Sequence, residues 1–89
     1  MKRRISIKIT GRVQGVFFRE GAKTRAARLN LAGFARNEPD GSVLVVAEGE
    51  ESDLQALLEW CSCGPEPAQV ESVDHSFAEP TGLSGFVTE

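Results

Sequence analysis

Residues 11–19, with the sequence GRVQGVFFR, combine residue types that suit the binding of a small anion. Glycine tolerates a positive φ, so Gly11 and Gly15 allow the loop to turn its N–H groups inward into an anion nest. A helix that begins after the loop would direct the positive end of its dipole to the same place. Arg19 adds a planar guanidinium that binds two oxygens of a phosphate or carboxylate. The segment predicts a phosphate-sized cradle, although each part alone also fits a simple chain turn and a solvated arginine.

The same segment lacks the features of several other phosphate sites and catalytic centres. It has neither the Gly-Lys-Ser/Thr of a P-loop nor the third glycine of a dinucleotide fingerprint, so a nucleotide is not predicted. It contains no His, Ser, Cys or carboxylate. Cys61 and Cys63, even with the lone His75, are too few ligands for a zinc site. We therefore expect two reduced cysteines at the end of a helix, and neither a metal nor a cofactor.

Apolar periodicity predicts the elements that flank this segment. Residues 5–9 alternate isoleucine with polar side chains, which indicates a half-buried strand ahead of the loop. A helix is expected over about residues 18–30, because Ala22, Ala26 and Leu29 fall on one face at helical spacing. The loop is thus predicted to connect a strand to the start of a helix.

The middle of the chain predicts a hairpin and a second helix. Residues 32–48 contain two apolar runs separated by the turn sequence EPDG at 38–41. Ser52 with Gln55 three positions later fits a capping box at the start of a helix. Gly64, followed by proline, is a typical stop signal for that helix.

Residues 68–77 and 84–88 predict a fourth strand and a short fifth one, which completes a strand-helix-strand-strand-helix-strand order. This is the split βαβ order of a ferredoxin-like α+β fold, with a mixed, largely antiparallel sheet and two helices on one face. In that fold the third strand lies between the first two and runs antiparallel to both. The carboxyl ends of the first two strands therefore meet at one edge, which makes Arg19 and Asn37 expected neighbours.

Length and composition predict one folded domain over residues 1–89. The chain has 89 residues, of which 40% are hydrophobic and 26% charged, enough to bury one core. No apolar run reaches the length of a membrane span. Ser6 and Lys8 interrupt the stretch in which a signal peptide would be continuously apolar. We therefore expect a cytoplasmic protein with no membrane partner.

Charge is distributed unevenly along the chain. Residues 1–36 hold all ten Lys and Arg and the single carboxylate of Glu20, a net charge of +9, whereas residues 37–89 hold twelve carboxylates, a net charge of −12. The pattern fits two oppositely charged parts that attract each other in the fold, or a locally positive field that attracts an anion. The total of −3 gives no support for nucleic-acid binding.

Two motifs resemble those of a known family. GRVQGVFFR at 11–19 resembles the first signature of the acylphosphatases, and GFARN at 33–37, followed by DGSV at 40–43, resembles the second. Both occur in the family's order and spacing, and weaker similarities extend the resemblance over nearly the whole chain. The sequence departs at Phe34 and Ala35, where the family usually has Trp and Val.

The resemblance implies a reaction and assigns roles to individual residues. Arg19 corresponds to the family's phosphate-binding arginine, and Asn37 to the asparagine that positions the attacking water. Backbone amides would line the phosphate cradle, those of Gln14, Gly15, Val16, Phe17, Phe18 and Arg19. The implied reaction is hydrolysis of a small-molecule acyl phosphate to carboxylate and phosphate, without a metal and without a covalent enzyme intermediate. We also expect inorganic phosphate or sulfate to compete for the cradle, and a monomeric protein.

Two other classes of function share the predicted fold. A non-catalytic module for a small anion would need Arg19 and the nest but not Asn37, which is present. An RNA-recognition module would need exposed aromatic side chains on the central strands and a basic surface. The third strand has no aromatic residue and the chain is acidic, so hydrolysis of acyl phosphates is the favoured prediction.

Overall fold

Five strands and two helices make up the computed structural model, which describes residues 1–89. In chain order they are β1 (Lys2–Arg12), α1 (Phe18–Arg28), β2 (Ala32–Asn37), β3 (Val43–Glu50), α2 (Glu51–Cys63), β4 (Gln69–Ala78) and β5 (Phe86–Thr88). Every predicted element is present, with boundaries that shift by a few residues. Neither helix is long and apolar enough to span a membrane.

The strands form one sheet in the order β4-β1-β3-β2-β5. Strand β3 lies between β1 and β2 and is antiparallel to both, while the short edge strand β5 runs parallel to β2. The turn between β2 and β3 is closed by hydrogen bonds from Glu38 N to Ser42 O (2.8 Å) and from Gly41 N to Glu38 O (3.1 Å). The ferredoxin-like α+β fold predicted from the element order is confirmed.

The core lies between one face of the sheet and the two helices. Alternate residues of β1 and β3 point to this face, as the period of a strand requires. The fully buried side chains contributed by these strands and by the helices include Ile5, Ile7, Ile9, Val43, Val45, Ala47, Ala22, Ala26, Leu54 and Leu57. Cys61 is buried among them, and burial raises the pKa of its thiol to about 12, whereas Cys63 is exposed. Both cysteines are free.

Both helices begin or end differently from the sequence prediction. Helix α1 stops before Asn30, which has a φ of 57°. Leu31 N then donates to Ala26 O (2.9 Å) and Asn30 N to Ala27 O (3.2 Å). These paired bonds around a left-handed residue are a Schellman ending, which asparagine tolerates better than most residues.

The capping box predicted at Ser52 is wrong. Strand β3 runs directly into α2, so the N-cap is Glu50 and no side chain caps the helix. Ser52 therefore lies inside the first turn. Glu51 and Asp53 occupy that turn instead and interact favourably with the positive end of the helix dipole.

Gly11 lies inside β1 rather than in the loop that follows, which corrects its predicted role in the anion nest. The pairing of β1 with β4 shifts register between Thr10 and Gly11. The φ angle of Gly11 is 125°. A Cβ atom added at Gly11 would lie 2.2 Å from Gln69 O and 2.8 Å from Glu71 N. The glycine is required because the two backbones approach closely at this bulge.

Glu48, near the end of β3, holds the irregular connection between β4 and β5. Its carboxylate accepts hydrogen bonds from Thr81 N (2.7 Å), Thr81 Oγ1 (2.9 Å), Gly82 N (3.0 Å) and Leu83 N (3.0 Å). Arg4 Nη1 lies 3.4 Å away. Burial alone would raise the pKa of Glu48, but these hydrogen bonds outweigh it and lower the pKa from 4.5 to about 2.

We predict that Gly11→Ala destabilises the protein more than Gly15→Ala. Both glycines have positive φ, so alanine at either costs about 1–2 kcal/mol of unfolding free energy. A Cβ atom at Gly15 has nothing within 4 Å, whereas at Gly11 it meets β4 and should cost about 1–3 kcal/mol more. Urea denaturation of the two variants measures the difference. Equal losses would show that the bulge adapts to a side chain.

We predict that Glu48→Gln lowers the melting temperature at pH 7, because an amide nitrogen replaces one acceptor oxygen among backbone donors. The loss should be about 2–4 kcal/mol. The depressed pKa means that the carboxylate stabilises the fold above about pH 4.5 and ceases to do so as pH falls through about 2. The wild-type and variant melting temperatures should therefore converge on acidification. The exposed Glu79→Gln is the matched control, and a constant gap at all pH values would contradict the role of the carboxylate.

Candidate active site

The loop of residues 13–17 joins β1 to α1 and is fixed by alternate apolar anchors. Val13 is 1% exposed, Val16 7% and Phe18, the first residue of α1, 1%. Because these side chains pack into the core, the backbone between them has little freedom to rearrange. Phe17, by contrast, is 74% exposed.

The backbone of this loop has the form of an anion nest. Gly15 has a φ of 75° and Phe17 a φ of 67°, while Val16 between them has no positive φ. Such alternation of left-handed and right-handed residues turns successive N–H groups toward one side. None of the N–H groups of residues 14–17 donates to a backbone carbonyl, and the first turn of α1 leaves further N–H groups without an intrahelical partner. The loop therefore offers several converging donors at a helix N-terminus.

Gln14 ties the loop to the neighbouring turn of the sheet. Its Nε2 donates to Glu38 O (2.8 Å) and to Ser42 O (3.0 Å). These two carbonyls lie on either side of the turn between β2 and β3. The side chain thus fixes the position of the loop relative to the carboxyl end of β2, a role that the sequence prediction did not include.

Arg19, in the first turn of α1, is oriented by the last part of the chain. Its Nη1 donates to the main-chain oxygen of Glu89 at 2.6 Å. No side-chain carboxylate forms an ion pair with this guanidinium, and its other N–H groups have no protein partner. Arg36, by contrast, is paired with the side chains of Glu38 (3.3 Å) and Glu89 (3.6 Å). Arg19 therefore keeps free donors and is held in place by one hydrogen bond.

Asn37 is the last residue of β2, and its side chain has an unsatisfied acceptor. Asn37 Oδ1 is buried and has no hydrogen-bond partner. A buried carbonyl oxygen without a partner is costly, and such exceptions in folded proteins require an explanation. Asn37 also lines a cavity, so the residue that carries the unsatisfied acceptor lies beside a space that a small molecule can enter.

A cavity of about 260 Å³ brings these groups together. It is lined by Val13, Gly15, Phe17, Phe18, Arg19, Glu20, Asn37 and Thr88. The structure thus places Arg19 and Asn37 at one cavity, with Gly15, Phe17 and Phe18 of the predicted cradle. Gln14 and Val16 do not line it. Glu20 and Thr88 were missed by the sequence analysis, although the parallel pairing of β5 with β2 brings Thr88 to the same edge.

Arg19 is the only cationic residue that lines the cavity. Elsewhere, every ion pair joins a cation of residues 1–36 to a carboxylate of residues 38–89. The ion pairs therefore join the positive part of the sequence to the negative part, although six of the ten Lys and Arg form none. No three His, Cys, Asp or Glu side chains are grouped so that they could hold a metal ion. The arrangement can hold a tetrahedral anion and one polar molecule beside it.

Comparisons with known proteins identify relatives that match nearly the whole chain. A protein named acylphosphatase from Nocardioides sp. is 44% identical over 86 residues, which is 97% of this chain and 87% of that protein. The solved structure of an acylphosphatase from Coxiella burnetii superposes with a TM-score of 0.94 at 35% identity, over 99% of this chain and 93% of the other. The acylphosphatase structure from Bacillus subtilis gives a TM-score of 0.94 at 32% identity, over 100% and 99%.

The family model of the acylphosphatases matches residues 5–88, a span that includes the loop, Arg19, Asn37 and β5. A match over this length agrees with the relatives of similar size given above. The chain belongs to the acylphosphatase family.

Proposed function

We propose that this chain hydrolyses acyl phosphates to a carboxylate and inorganic phosphate at the cavity described above. Family membership supports the reaction. The observation that carries the assignment of residues is that Asn37, whose Oδ1 is buried and unpartnered, lines the same cavity as Arg19. An anion site alone needs only Arg19 and the nest, whereas hydrolysis also needs a group that positions water.

The nest and Arg19 would bind the phosphate of the substrate. The N–H groups of Gln14, Gly15, Val16, Phe17, Phe18 and Arg19 are the proposed cradle. Their donors and the guanidinium are fixed before substrate arrives, because the loop is anchored in the core and Arg19 is bonded to Glu89. Fixed dipoles that need no reorganisation stabilise the charge that accumulates on the equatorial oxygens during phosphoryl transfer.

Asn37 would position the attacking water. Its Oδ1 is an acceptor, so it can take a hydrogen bond from water and direct the water oxygen at phosphorus. An amide is not a base at neutral pH, so its contribution is orientation, which alone can be worth several orders of magnitude in rate. The proton of the water then passes to a phosphate oxygen of the product.

The leaving group explains why the site contains so few titratable side chains. An acyl phosphate releases a carboxylate, whose conjugate acid has a pKa of about 4. This anion leaves without protonation, so no general acid is required. Because the transition state is loose, positioning and fixed positive potential do most of what the protein can contribute. All the proposed groups come from one chain, so the site is complete in a monomer.

The proposed mechanism predicts that the protein hydrolyses a simple aromatic acyl phosphate, benzoyl phosphate, in the presence of excess chelator. The side chains show no group suited to bind a metal ion, and Arg19 supplies the positive charge that a metal would otherwise provide. Spectrophotometric loss of the acyl phosphate measures the rate. Activity that disappears with chelator and returns with a divalent ion would overturn the proposed mechanism.

A further prediction separates the roles of Arg19 and Asn37. Arg19→Ala should weaken inhibition by inorganic phosphate or sulfate and lower kcat by about 10³-fold or more. Arg19→Lys should restore little, because an ammonium does not reproduce the planar fork. Asn37→Ala should lower kcat by about 10²-fold or more, the loss expected for one positioned polar group, and leave the phosphate inhibition constant near that of wild type.

The measurements are steady-state kinetics and competitive inhibition constants on variants that keep wild-type melting behaviour. Arg25→Ala, an exposed residue of α1 outside the cavity, is the matched control for removal of an arginine. If Asn37→Ala loses phosphate affinity as severely as Arg19→Ala, the proposed division of roles is wrong. If Asn37→Ala keeps full turnover, Asn37 does not position the water.

A further inference from the structure

Phe17 combines three properties that do not serve the stability of the fold. Its backbone is left-handed, with φ 67° and ψ 24°, a conformation that is unfavourable for a bulky residue and free of cost for glycine. The residue is 74% exposed, so burial of its ring offsets little of that cost. It also lines the cavity of the proposed active site. Backbone strain that is not offset by side-chain packing is a reason to seek a functional role.

No other Phe or Trp ring of the chain is exposed in this way. The remaining residues of these two types are buried or half-buried: Phe18, Phe34, Trp60, Phe77 and Phe86. The nest requires a left-handed backbone at position 17, but it makes no demand on the side chain. The ring of Phe17 is therefore an addition to the nest, placed where a bound molecule can contact it.

The lining of the cavity leaves apolar surface for the acyl group. The polar groups of the cavity, Arg19, Asn37 and the free N–H groups, would be occupied by phosphate and water. The acyl group would then meet the apolar part of the lining, to which Phe17 contributes an exposed ring.

The charges around the cavity discriminate against a second anionic group. Arg19 is the only cation in the lining, and the proposed reaction uses it for the phosphate. The other charged residue of the lining is Glu20, whose carboxylate is exposed. A carboxylate or second phosphate on the acyl group would meet Glu20 and an apolar ring, and no free positive charge.

We propose that Phe17 determines specificity, by packing its ring against the acyl group. The chain should then prefer acyl phosphates with an apolar acyl group, and aromatic ones above all, over those that carry a second negative charge. This inference rests on the proposed function and names the substrate class of the same site.

The test compares kcat/KM for benzoyl phosphate with kcat/KM for acetyl phosphate. Phe17→Gly should lower this ratio on the order of 10-fold, the size expected for loss of one apolar contact surface. Any disturbance of the amide cradle affects both substrates alike and cancels in the ratio. Phe17→Tyr, which keeps the ring, should keep the ratio. Val87→Ala, which removes an exposed apolar side chain outside the cavity, is the matched control and should also keep it.

The melting temperature separates a specificity role from a structural one. Because glycine relieves the left-handed strain and the ring is exposed, Phe17→Gly should melt at or above the wild-type temperature. A variant that melts well below wild type would show that the ring stabilises the fold. An unchanged substrate ratio in Phe17→Gly would overturn the inference even if acetyl phosphate is hydrolysed as proposed.

The charge argument is tested with succinyl phosphate, whose acyl group ends in a carboxylate. Glu20→Gln should raise kcat/KM for succinyl phosphate relative to acetyl phosphate by about 2–5-fold, as expected for removal of one exposed repulsion, and salt should diminish the effect. No change in this ratio would show that Glu20 does not face the acyl group.

Binding of phosphonates distinguishes failure of this inference from failure of the proposed function. Wild-type protein should bind phenylphosphonate more tightly than methylphosphonate, and Phe17→Gly should bind both equally, as measured by calorimetry. If no acyl phosphate is hydrolysed but this difference is seen, the proposed function is wrong, and what stands is that the ring of Phe17 contacts an apolar group attached to a bound anion. If acyl phosphates are hydrolysed and wild-type protein binds both phosphonates equally, the role of Phe17 is wrong and the proposed function stands.

Discussion

The antiparallel placement of β3 between β1 and β2 is the constraint on which the site depends. It forces β1 and β2 to point the same way, and β5 pairs parallel to β2. The carboxyl ends of all three strands therefore meet at one edge of the sheet. The nest follows β1, Asn37 ends β2, and Thr88 ends β5. Groups far apart in sequence thus reach one cavity without any long or flexible connection.

Rigidity at that edge comes from packing and hydrogen bonds rather than from a metal or a disulfide. Val13 and Val16 hold the loop in the core, Gln14 bonds it to the turn beyond β2, and Glu89 orients Arg19. Each link is ordinary, but together they fix donors before an anion binds. For a reaction with a good leaving group, preorganised donors are a sufficient contribution from a small protein.

The sequence predicted the fold and the approach of Arg19 to Asn37 because both follow from element order and strand direction. The expectation that Gly11 lies in the loop was wrong. A glycine in a loop and a glycine at a bulge have the same local sequence signal, and only the pairing of β1 with β4 distinguishes them. The sequence does not reveal the exposure of Phe17 for a similar reason. An apolar residue between buried neighbours predicts burial, unless the left-handed backbone that turns its side chain outward is known. The position of Thr88 at the cavity was not predicted, because it depends on the parallel pairing of β5 with β2. A strand of three residues is too short for its sequence pattern to reveal how it pairs.

Glu48 anchors the connection between β4 and β5, the strands at the two edges of the sheet, and β5 leads to the cavity. This connection crosses from one edge strand to the other, and the carboxylate holds it at the central strand. Strand β5 itself has three residues, bonded to β2 on one side only. Short edge elements of this kind have low opening free energies. Detachment of β5 would withdraw Thr88 and free Arg19 from Glu89, and it would also expose Phe86, which β5 contributes to the core. The integrity of the site and that of the core are therefore linked through this short strand.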